Sequence, residues 1–267
     1  MSIIISVTPL YLSPVFLAIH GGGLILGSKD VIESLSYREI EELCSRGWTI
    51  VSIDYRLAPG VFLQDILEDV QDAYNWIRND LSKIEPIDPD LITIFGASAG
   101  AGLALMSGYK FIPRPNAIIA FYPYCSNFID GYAYDSTNPP SKKLVNLTQK
   151  LKEKLTHYVI HETNPPRLVL FDYIFVEKKG GWLLVSDDPR EDSASIMQKL
   201  KDFSATENLD ESFPPTYLSH GLADARVPYE QSVKMAEKLK EKKIPYVLDL
   251  IPGAVHSYDL KYPGEKI

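Results

Sequence analysis

The first residue that could do chemistry is Ser98, in the segment Gly96-Ala97-Ser98-Ala99-Gly100. The run Leu91–Phe95 before it resembles a buried strand, and Gly100–Met106 after it is small, apolar and compatible with a helix. A serine at such a sharp turn exposes its hydroxyl at the carboxyl edge of a sheet, where the helix amino terminus favours negative charge. Ser98 is therefore a candidate nucleophile, and a serine that only caps the helix is the alternative.

A glycine run, His20-Gly21-Gly22-Gly23, directly follows the apolar run Val15–Ile19. Consecutive glycines leave backbone N–H groups accessible, and such groups can converge on an oxyanion. The same run could also be no more than a tight turn after a buried strand. We consider it a candidate for stabilising negative charge on a substrate.

A base is required because a serine hydroxyl is too weakly acidic to attack a carbonyl unaided. The sequence holds five histidines. Four of them fall in the glycine run, in a strand-like run or in a stretch of irregular pattern: His20, His220, His157 and His161. His256 remains, in a loop just after the last strand-like run, and it is the candidate base. An exposed loop histidine without a role is the alternative.

Asp224 is the candidate for the acid that orients the base. It lies in the loop Gly221-Leu222-Ala223-Asp224-Ala225-Arg226-Val227-Pro228, after a strand-like run that contains His220. Glu230 and Asp259 are weaker candidates, and Asp224 could also be an ordinary turn residue. We expect His220 to pack beneath the site.

Together these segments resemble the hormone-sensitive-lipase-like group of the α/β-hydrolases. The resemblance to that group is carried by the glycine run, by Asp54-Tyr55-Arg56-Leu57-Ala58-Pro59 and by the segment around Ser98. The stretch His-Gly-x-x-Asp-x-x-Val-Pro at 220–228 resembles the segment that carries the acid in many α/β-hydrolases. The chain order of Ser98, Asp224 and His256 is also the order which that fold requires.

The resemblance implies roles for further residues. In that group the oxyanion hole is formed by the second and third glycines of the run and the residue after the nucleophile, which are Gly22, Gly23 and Ala99 here. His20 and the segment Asp54–Arg56 are structural in the group, so we exclude them from the catalytic residues.

The elements that must position these residues alternate along the chain. Short β-branched or aromatic runs are each followed by a helical or loop segment, which predicts a mostly parallel sheet covered on both faces. The strand-like runs are Val15–His20, Thr49–Tyr55, Leu91–Phe95, Ala117–Tyr122, Thr216–His220 and Tyr246–Ile251; amphipathic helices are predicted at Val31–Arg46, Gln64–Leu81 and Gln231–Lys242. With the resemblance, the predicted fold class is α/β, an α/β-hydrolase fold with an inserted cap subdomain.

The cap is predicted at residues 126–211, where the regular alternation fails. A stretch of this length is too long for a bare loop in a compact domain. We predict one or more helices and a hairpin there, Leu168–Val176 with Trp182–Val185, turned at Gly180-Gly181. The hydrolase core then comprises residues 1–125 and 212–267.

The composition excludes several classes of protein. Hydrophobic residues make up 45% and charged residues 23% of the chain, and a net charge of -8 without a basic stripe argues against nucleic acid as a partner. Two cysteines form no disulfide framework, and neither an export signal nor a membrane span is evident, so we expect a cytoplasmic protein.

The chain is short before Pro14 and after His256, so the hydrolase core should be short at both ends. A homodimer could cover the surface that is then exposed.

These features predict a serine hydrolase of the carboxylesterase type that needs no metal and no organic cofactor. A small-molecule acyl substrate would form an acyl-enzyme on Ser98, and the bond cleaved could be an ester, a lactone, a thioester or an aryl formamide. One alternative is a non-catalytic small-molecule-binding protein on a hydrolase scaffold. Another is an acyltransferase or dehydratase that uses the same site.

Overall fold

A computed structural model describes residues 2–5, 12–30, 37–125, 137–154 and 165–261. Within these ranges the strands form a seven-stranded sheet with the order β1-β3-β2-β4-β5-β6-β7. β1 runs antiparallel to β3, and every other neighbouring pair is parallel. The strands are β1 (Ser2–Ile5), β2 (Ser13–Ile19), β3 (Thr49–Ile53), β4 (Ile87–Ala97), β5 (Ala117–Phe121), β6 (Thr216–Gly221) and β7 (Tyr246–Ile251).

Ten α-helices lie in the same described ranges. They are α1 (Tyr37–Ser45), α2 (Leu63–Asn79), α3 (Ala99–Lys110), α4 (Lys142–Lys154), α5 (Pro165–Val176), α6 (Gly180–Val185), α7 (Ser193–Lys201), α8 (Ala205–Asn208), α9 (Glu230–Glu241) and α10 (Tyr258–Lys261). None of the helices in the described part of the chain combines the length and apolarity that a membrane crossing requires.

Both faces of the sheet are buried, and the side chains of β2 contribute to a hydrophobic cluster on each face. Its residues Val15, Leu17 and Ile19 belong to the larger hydrophobic cluster, which also includes side chains of α2 and α3. Phe16 and Ala18 point to the other face and join a smaller cluster with α1. Burial on both faces explains why the strand-like runs are almost continuously apolar. The predicted α/β class with a mostly parallel sheet is confirmed.

The hairpin predicted between residues 168 and 185 is wrong, because both of its arms are helical. The first arm lies in α5 and the second in α6. The link between the two helices contains Lys178, which has a φ of 52°, and Gly180 and Gly181 begin α6. The residues of α5 are apolar on two sides, since Leu170 and Ile174 are buried in the core while Phe171 borders a cleft. Periodicity alone does not separate such a segment from a strand.

The segment of residues 126–211, between β5 and β6, we call the insertion. Its buried side chains, such as Leu144, Leu170 and Trp182, belong to the same hydrophobic cluster as those of the sheet. Several predictions about it fall on residues 126–136 and 155–164, outside the described residues, and these include the positions of His157 and His161. The first six residues of the helix predicted at Val31–Arg46 also lie outside them.

Candidate active site

Ser98 lies at the turn between β4 and α3, in the left-handed region with φ 55° and ψ -119°. Small residues are required beside it. A Cβ on Gly96 would come within 2.2 Å of the backbone of Gly100, and a Cβ on Gly100 would come within 2.2 Å of the carbonyl oxygen of Ile19. The Ser98 N–H donates to the carbonyl oxygen of Phe121 at 2.9 Å. The neighbouring strands therefore hold the turn in a conformation that a free chain would rarely adopt.

The structure brings Ser98, His256 and Asp224 together at the carboxyl edge of the sheet. His256 Nε2 lies 3.1 Å from Ser98 Oγ, and His256 Nδ1 lies 2.7 Å from Asp224 Oδ2. His256 follows β7 and Asp224 follows β6, so two adjacent parallel strands deliver the two side chains. These distances allow the Ser98 hydroxyl to donate to Nε2 while Nδ1–H donates to the carboxylate.

The Asp224 side chain is fully buried. Its Oδ1 accepts hydrogen bonds from the backbone N–H groups of Arg226 at 2.8 Å and Val227 at 2.9 Å, and His220 Nε2 lies 3.3 Å from Oδ2. Burial by itself raises the pKa of Asp224, but the hydrogen bonds from His220, His256 and Val227 outweigh it and hold the pKa below its usual range. The carboxylate therefore stays ionised opposite His256.

The described contacts of His256 include neither of the two weaker candidates for the acid. Asp259 accepts a hydrogen bond from the Tyr122 hydroxyl at 2.5 Å, and Glu230 is an exposed residue in the first turn of α9. His220 packs beneath the site as expected. It is fully buried, and its Nδ1 lies 2.7 Å from Ser232 Oγ.

The glycine run lies against the Ser98 turn. A Cβ on Gly21 would come within 2.9 Å of the carbonyl oxygen of Ala97. Gly22 and Gly23 have φ values of 96° and 63°, which favour glycine. No described acceptor binds the N–H groups of Gly22 and Gly23, and the N–H of Ala99, the first residue of α3, has no acceptor within its own helix. These donors are free to bind a ligand.

His20 supports this run from beneath. Its buried ring stacks on Tyr55 with the ring centroids 4.1 Å apart, and its Nδ1 lies 2.8 Å from the carbonyl oxygen of Gly21. The Tyr55 hydroxyl donates to the carbonyl oxygen of His20 at 2.8 Å. Burial lowers the pKa of His20 to about 4, so the ring is neutral at pH 7 and serves as scaffold.

The charges next to Tyr55 are also used within the scaffold. Asp54 accepts hydrogen bonds from the backbone N–H and the Nζ of Lys29, at 2.8 Å and 2.6 Å. Arg56 binds Asp69 through its Nε at 2.9 Å. These contacts agree with the exclusion of Asp54–Arg56 from the candidate catalytic residues.

Sequence reasoning missed Arg167, on α5 of the insertion. Its buried Nη1 donates to the carbonyl oxygens of Ile25 at 2.8 Å and Ala58 at 2.7 Å. Burial lowers the pKa of Arg167 to about 10. The guanidinium thereby ties the insertion to the loop that continues the glycine run. No motif marks this residue, because its partners are backbone carbonyls distant in sequence.

Tyr122 was missed as well. Its ring meets that of His256 edge to face, with centroids 4.6 Å apart, and its backbone adopts a φ of 39°. Burial, followed by the negative charge of Asp259, raises the pKa of Tyr122, so its hydroxyl stays protonated as a donor. Tyr122 therefore holds one side of the imidazole in place.

A cleft of ≈ 350 Å³ opens above Ser98 and His256, bordered by the glycine run and by Phe171, Phe175 and Arg226. A narrower apolar pocket of ≈ 40 Å³ adjoins it and is lined by residues that include Ala99, Leu103, Met106, Phe175 and Leu184. Within the described ranges, no cluster of three or more His, Cys, Asp or Glu side chains is arranged to bind a metal ion.

Two family models match different parts of the chain. The model described as BD-FAE matches residues 8–113, which hold the glycine run and Ser98. The model of the prolyl oligopeptidase family matches residues 183–263, which hold Asp224 and His256.

Solved structures share the fold over nearly the whole chain. An acetyl ester-xyloside bifunctional hydrolase from Caldicellulosiruptor lactoaceticus superposes with a TM-score of 0.65 and 22% identity, over 97% of this chain and 80% of that one. Esterase 2 from Thermogutta terrifontis, phosphonylated by sarin, gives 0.64 and 22%, over 96% and 79%. The chain has the α/β-hydrolase fold. This confirms the fold that the sequence motifs implied.

The curated relatives of this chain are far longer proteins. The non-reducing polyketide synthase adrD of Penicillium rubens is 28% identical over 94% of the chain, which spans 12% of that synthase. The 5-methylorsellinic acid synthase of Aspergillus terreus is 26% identical over 92% of the chain, which spans 11% of it. The chain thus corresponds to about an eighth of the length of these relatives.

Proposed function

We propose that this α/β-hydrolase is a serine hydrolase that cleaves a carboxylic ester-type bond of a small organic molecule through an acyl-enzyme on Ser98. The observation that carries the proposal is the hydrogen-bonded series from Ser98 Oγ through His256 to Asp224, at 3.1 Å and 2.7 Å. The series borders a cleft that can admit a substrate.

Acylation follows from this geometry. Ser98 Oγ attacks the substrate carbonyl carbon and forms a C–O bond, while His256 Nε2 takes the hydroxyl proton. Asp224 keeps the imidazole in the required tautomer and stabilises the imidazolium. The negative charge on the former carbonyl oxygen is stabilised by the N–H groups of Gly22, Gly23 and Ala99. The intermediate then collapses, and the leaving group takes the proton from His256.

Deacylation repeats the same steps with water. His256 Nε2 removes a proton from a water molecule, whose oxygen attacks the acyl carbon. Collapse of the second intermediate breaks the bond to Ser98 Oγ, which recovers its proton from His256. The products are a carboxylic acid and the free enzyme. No step requires a group beyond the chain and water.

We also propose that residues 126–211 act as a cap that sets the size of the substrate. Phe171 and Phe175 of α5 border the cleft, and Ile174, between them, borders the narrow apolar pocket. An apolar pocket this narrow suits a short acyl chain. Among the structural neighbours, Thermogutta terrifontis esterase 2 has been solved with butyrate and with propionate bound, which supports short acyl groups as the first to test.

The test is turnover of 4-nitrophenyl esters from acetate to octanoate and of matched N-acetylcysteamine thioesters. Thioesters are included because the curated relatives are polyketide synthases. Ser98→Ala should abolish turnover, whereas Ser45→Ala, at an exposed serine of α1, should not change it. A folded chain that cleaves none of these substrates would contradict the proposal and favour a binding protein on the same scaffold. Equal turnover by the Ser98→Ala variant would also contradict it.

A further inference from the structure

Arg226 holds a distinct position in the cleft. Among the described residues that line the cleft, it is the only lysine or arginine. It lies two residues after Asp224, and its backbone N–H donates to Asp224 Oδ1 at 2.8 Å. The backbone of Arg226 is therefore fixed relative to the residues that would carry the reaction, while its side chain is exposed.

The guanidinium of Arg226 also differs from those of the other arginines that the structure describes. Five of these form ion pairs with carboxylates, namely Arg46, Arg56, Arg78, Arg114 and Arg190. Within the described residues, Arg226 has no such partner. Its Cζ lies 5.8 Å from the centroid of the Phe171 ring. This contact orients the guanidinium without neutralising its charge.

The carboxylates that share this region are already engaged. Asp224 is bonded to His256 and to two backbone N–H groups, and Asp259 accepts the Tyr122 hydroxyl. The guanidinium of Arg226 thus keeps its charge and its planar fork of N–H donors available. That fork matches the paired oxygens of a carboxylate or phosphate.

We propose that Arg226 determines specificity by binding an anionic oxyacid group of the substrate, a carboxylate or a phosphate. The inference rests on the proposed serine hydrolase function and adds a substrate class to it. The substrate is an acylated molecule whose carbonyl lies at Ser98 and whose anionic group occupies the cleft near Phe171. The narrow apolar pocket holds the uncharged part.

The test compares esters that differ in charge. The first pair is 4-acetoxybenzoate and its neutral methyl ester, with 4-acetoxyphenyl phosphate as the phosphate counterpart. The second pair, mono-4-nitrophenyl glutarate and 4-nitrophenyl pentanoate, places the charge on the acyl group. The measured quantity is the ratio of kcat/KM for the anionic ester to that for its neutral partner, in the wild type, Arg226→Gln and Arg226→Lys. Arg190→Gln changes the net charge equally at an exposed site that does not line the cleft and is the matched control.

We expect the wild type to prefer at least one anionic ester, and Arg226→Gln to lower that ratio about tenfold to a hundredfold, mostly through KM. Arg226→Lys should retain part of the preference, and Arg190→Gln all of it. The ester that the wild type prefers shows whether the anionic group is a carboxylate or a phosphate. It also shows whether that group lies on the acyl part or on the leaving group. If neutral esters are cleaved and every ratio is the same in Arg226→Gln as in the wild type, the inference is overturned and the serine hydrolase proposal stands.

A second measurement separates the two proposals. The Ser98→Ala variant should bind 4-acetoxybenzoate by calorimetry, and the double variant with Arg226→Gln should bind it at least tenfold more weakly. Equal affinity in both variants would overturn the inference whatever the turnover. Failure of the wild type to label with a fluorophosphonate or to cleave any ester would instead contradict the proposed function.

Discussion

The loops at the carboxyl edge of the sheet and the insertion border the same cleft in different ways. The edge loops supply backbone donors and the side chains of Ser98, Asp224 and His256, held by close contacts such as that of Gly100 with Ile19. The insertion supplies larger side chains, including Phe171. Groups that react need fixed geometry, whereas groups that select a substrate can lie on a segment that differs between relatives. We therefore expect changes to Ser98, Asp224 and His256 to act mainly on kcat, and changes in the insertion to act mainly on stability and selectivity.

The largest effect is expected for Asp224→Asn. An asparagine cannot hold the imidazole of His256 in the same tautomer or stabilise its charge, so kcat for 4-nitrophenyl acetate should fall by about 10⁴-fold. Asp259→Asn is the matched control, since Asp259 also borders the cleft, and it should lower kcat less than about tenfold. The reverse pattern would assign the acid to Asp259.

Arg167→Met tests the link between the two regions. The substitution keeps most of the volume but leaves the carbonyl oxygens of Ile25 and Ala58 without their donor, so the free energy of unfolding should fall by about 3 kcal/mol. The loop after the glycine run should also loosen and lower kcat. Urea unfolding and 4-nitrophenyl acetate turnover measure the two effects. The exposed Arg190→Met is the control. An equal loss of unfolding free energy in both variants would show that the two hydrogen bonds of Arg167 do not stabilise the fold.

His20 makes the stability of the edge loops depend on pH. Its pKa in the folded chain is about 4, below its ordinary value of 6.5. As the pH falls, the unfolded chain binds this proton first, so the stability that His20 contributes is complete above pH 6.5 and is lost as the pH falls towards 4. Between pH 7 and pH 4.5 the expected loss is about 2–3 kcal/mol.

The comparison is between the wild type and His20→Asn, in urea unfolding at both pH values. The variant will be less stable at pH 7, because the ring stacked on Tyr55 is lost. Its further loss on acidification should nevertheless be smaller than that of the wild type by the same 2–3 kcal/mol. An identical acid-induced loss in both chains would show that folding does not lower the pKa of His20.

The smallest effect is expected for Phe175→Ala in the insertion. The ring borders both the cleft and the narrow apolar pocket, so its removal should admit longer acyl chains. The ratio of kcat/KM for the hexanoate to that for the acetate ester should rise about threefold to tenfold. Leu168→Ala, on an exposed face of the same helix, is the control. A large loss of turnover on acetate would mean that the insertion acts on the chemistry rather than on selectivity.

The parts of the molecule that sequence predicted are those that local chemistry constrains. Ser98 and the glycine run stand out because only small residues fit between β2, β4 and α3. The parallel strands were predicted because burial on both faces demands continuous apolar runs, as in β2. The order of those strands in the sheet is carried by contacts between distant residues and by no local pattern.

Prediction from the sequence failed for a segment that packs against two different environments and for a residue that binds backbone atoms. The apolar residues of α5 face both the core and the cleft, so the helical period is hidden and a hairpin was predicted there instead. Arg167 reaches carbonyls of Ile25 and Ala58, which any residue would present. The contacts of Tyr122 and Arg226 form only in the folded chain. The loop after β7 places His256 against Tyr122, and the packing of α5 places Phe171 against Arg226.

The most direct test of the account is to map the adduct of a fluorophosphonate probe by mass spectrometry of the intact chain and its peptides. The account predicts a single adduct on Ser98, formed far more slowly in His256→Ala. An adduct on another residue, or no adduct on a chain with an unchanged circular dichroism spectrum, would contradict Ser98 as an activated nucleophile.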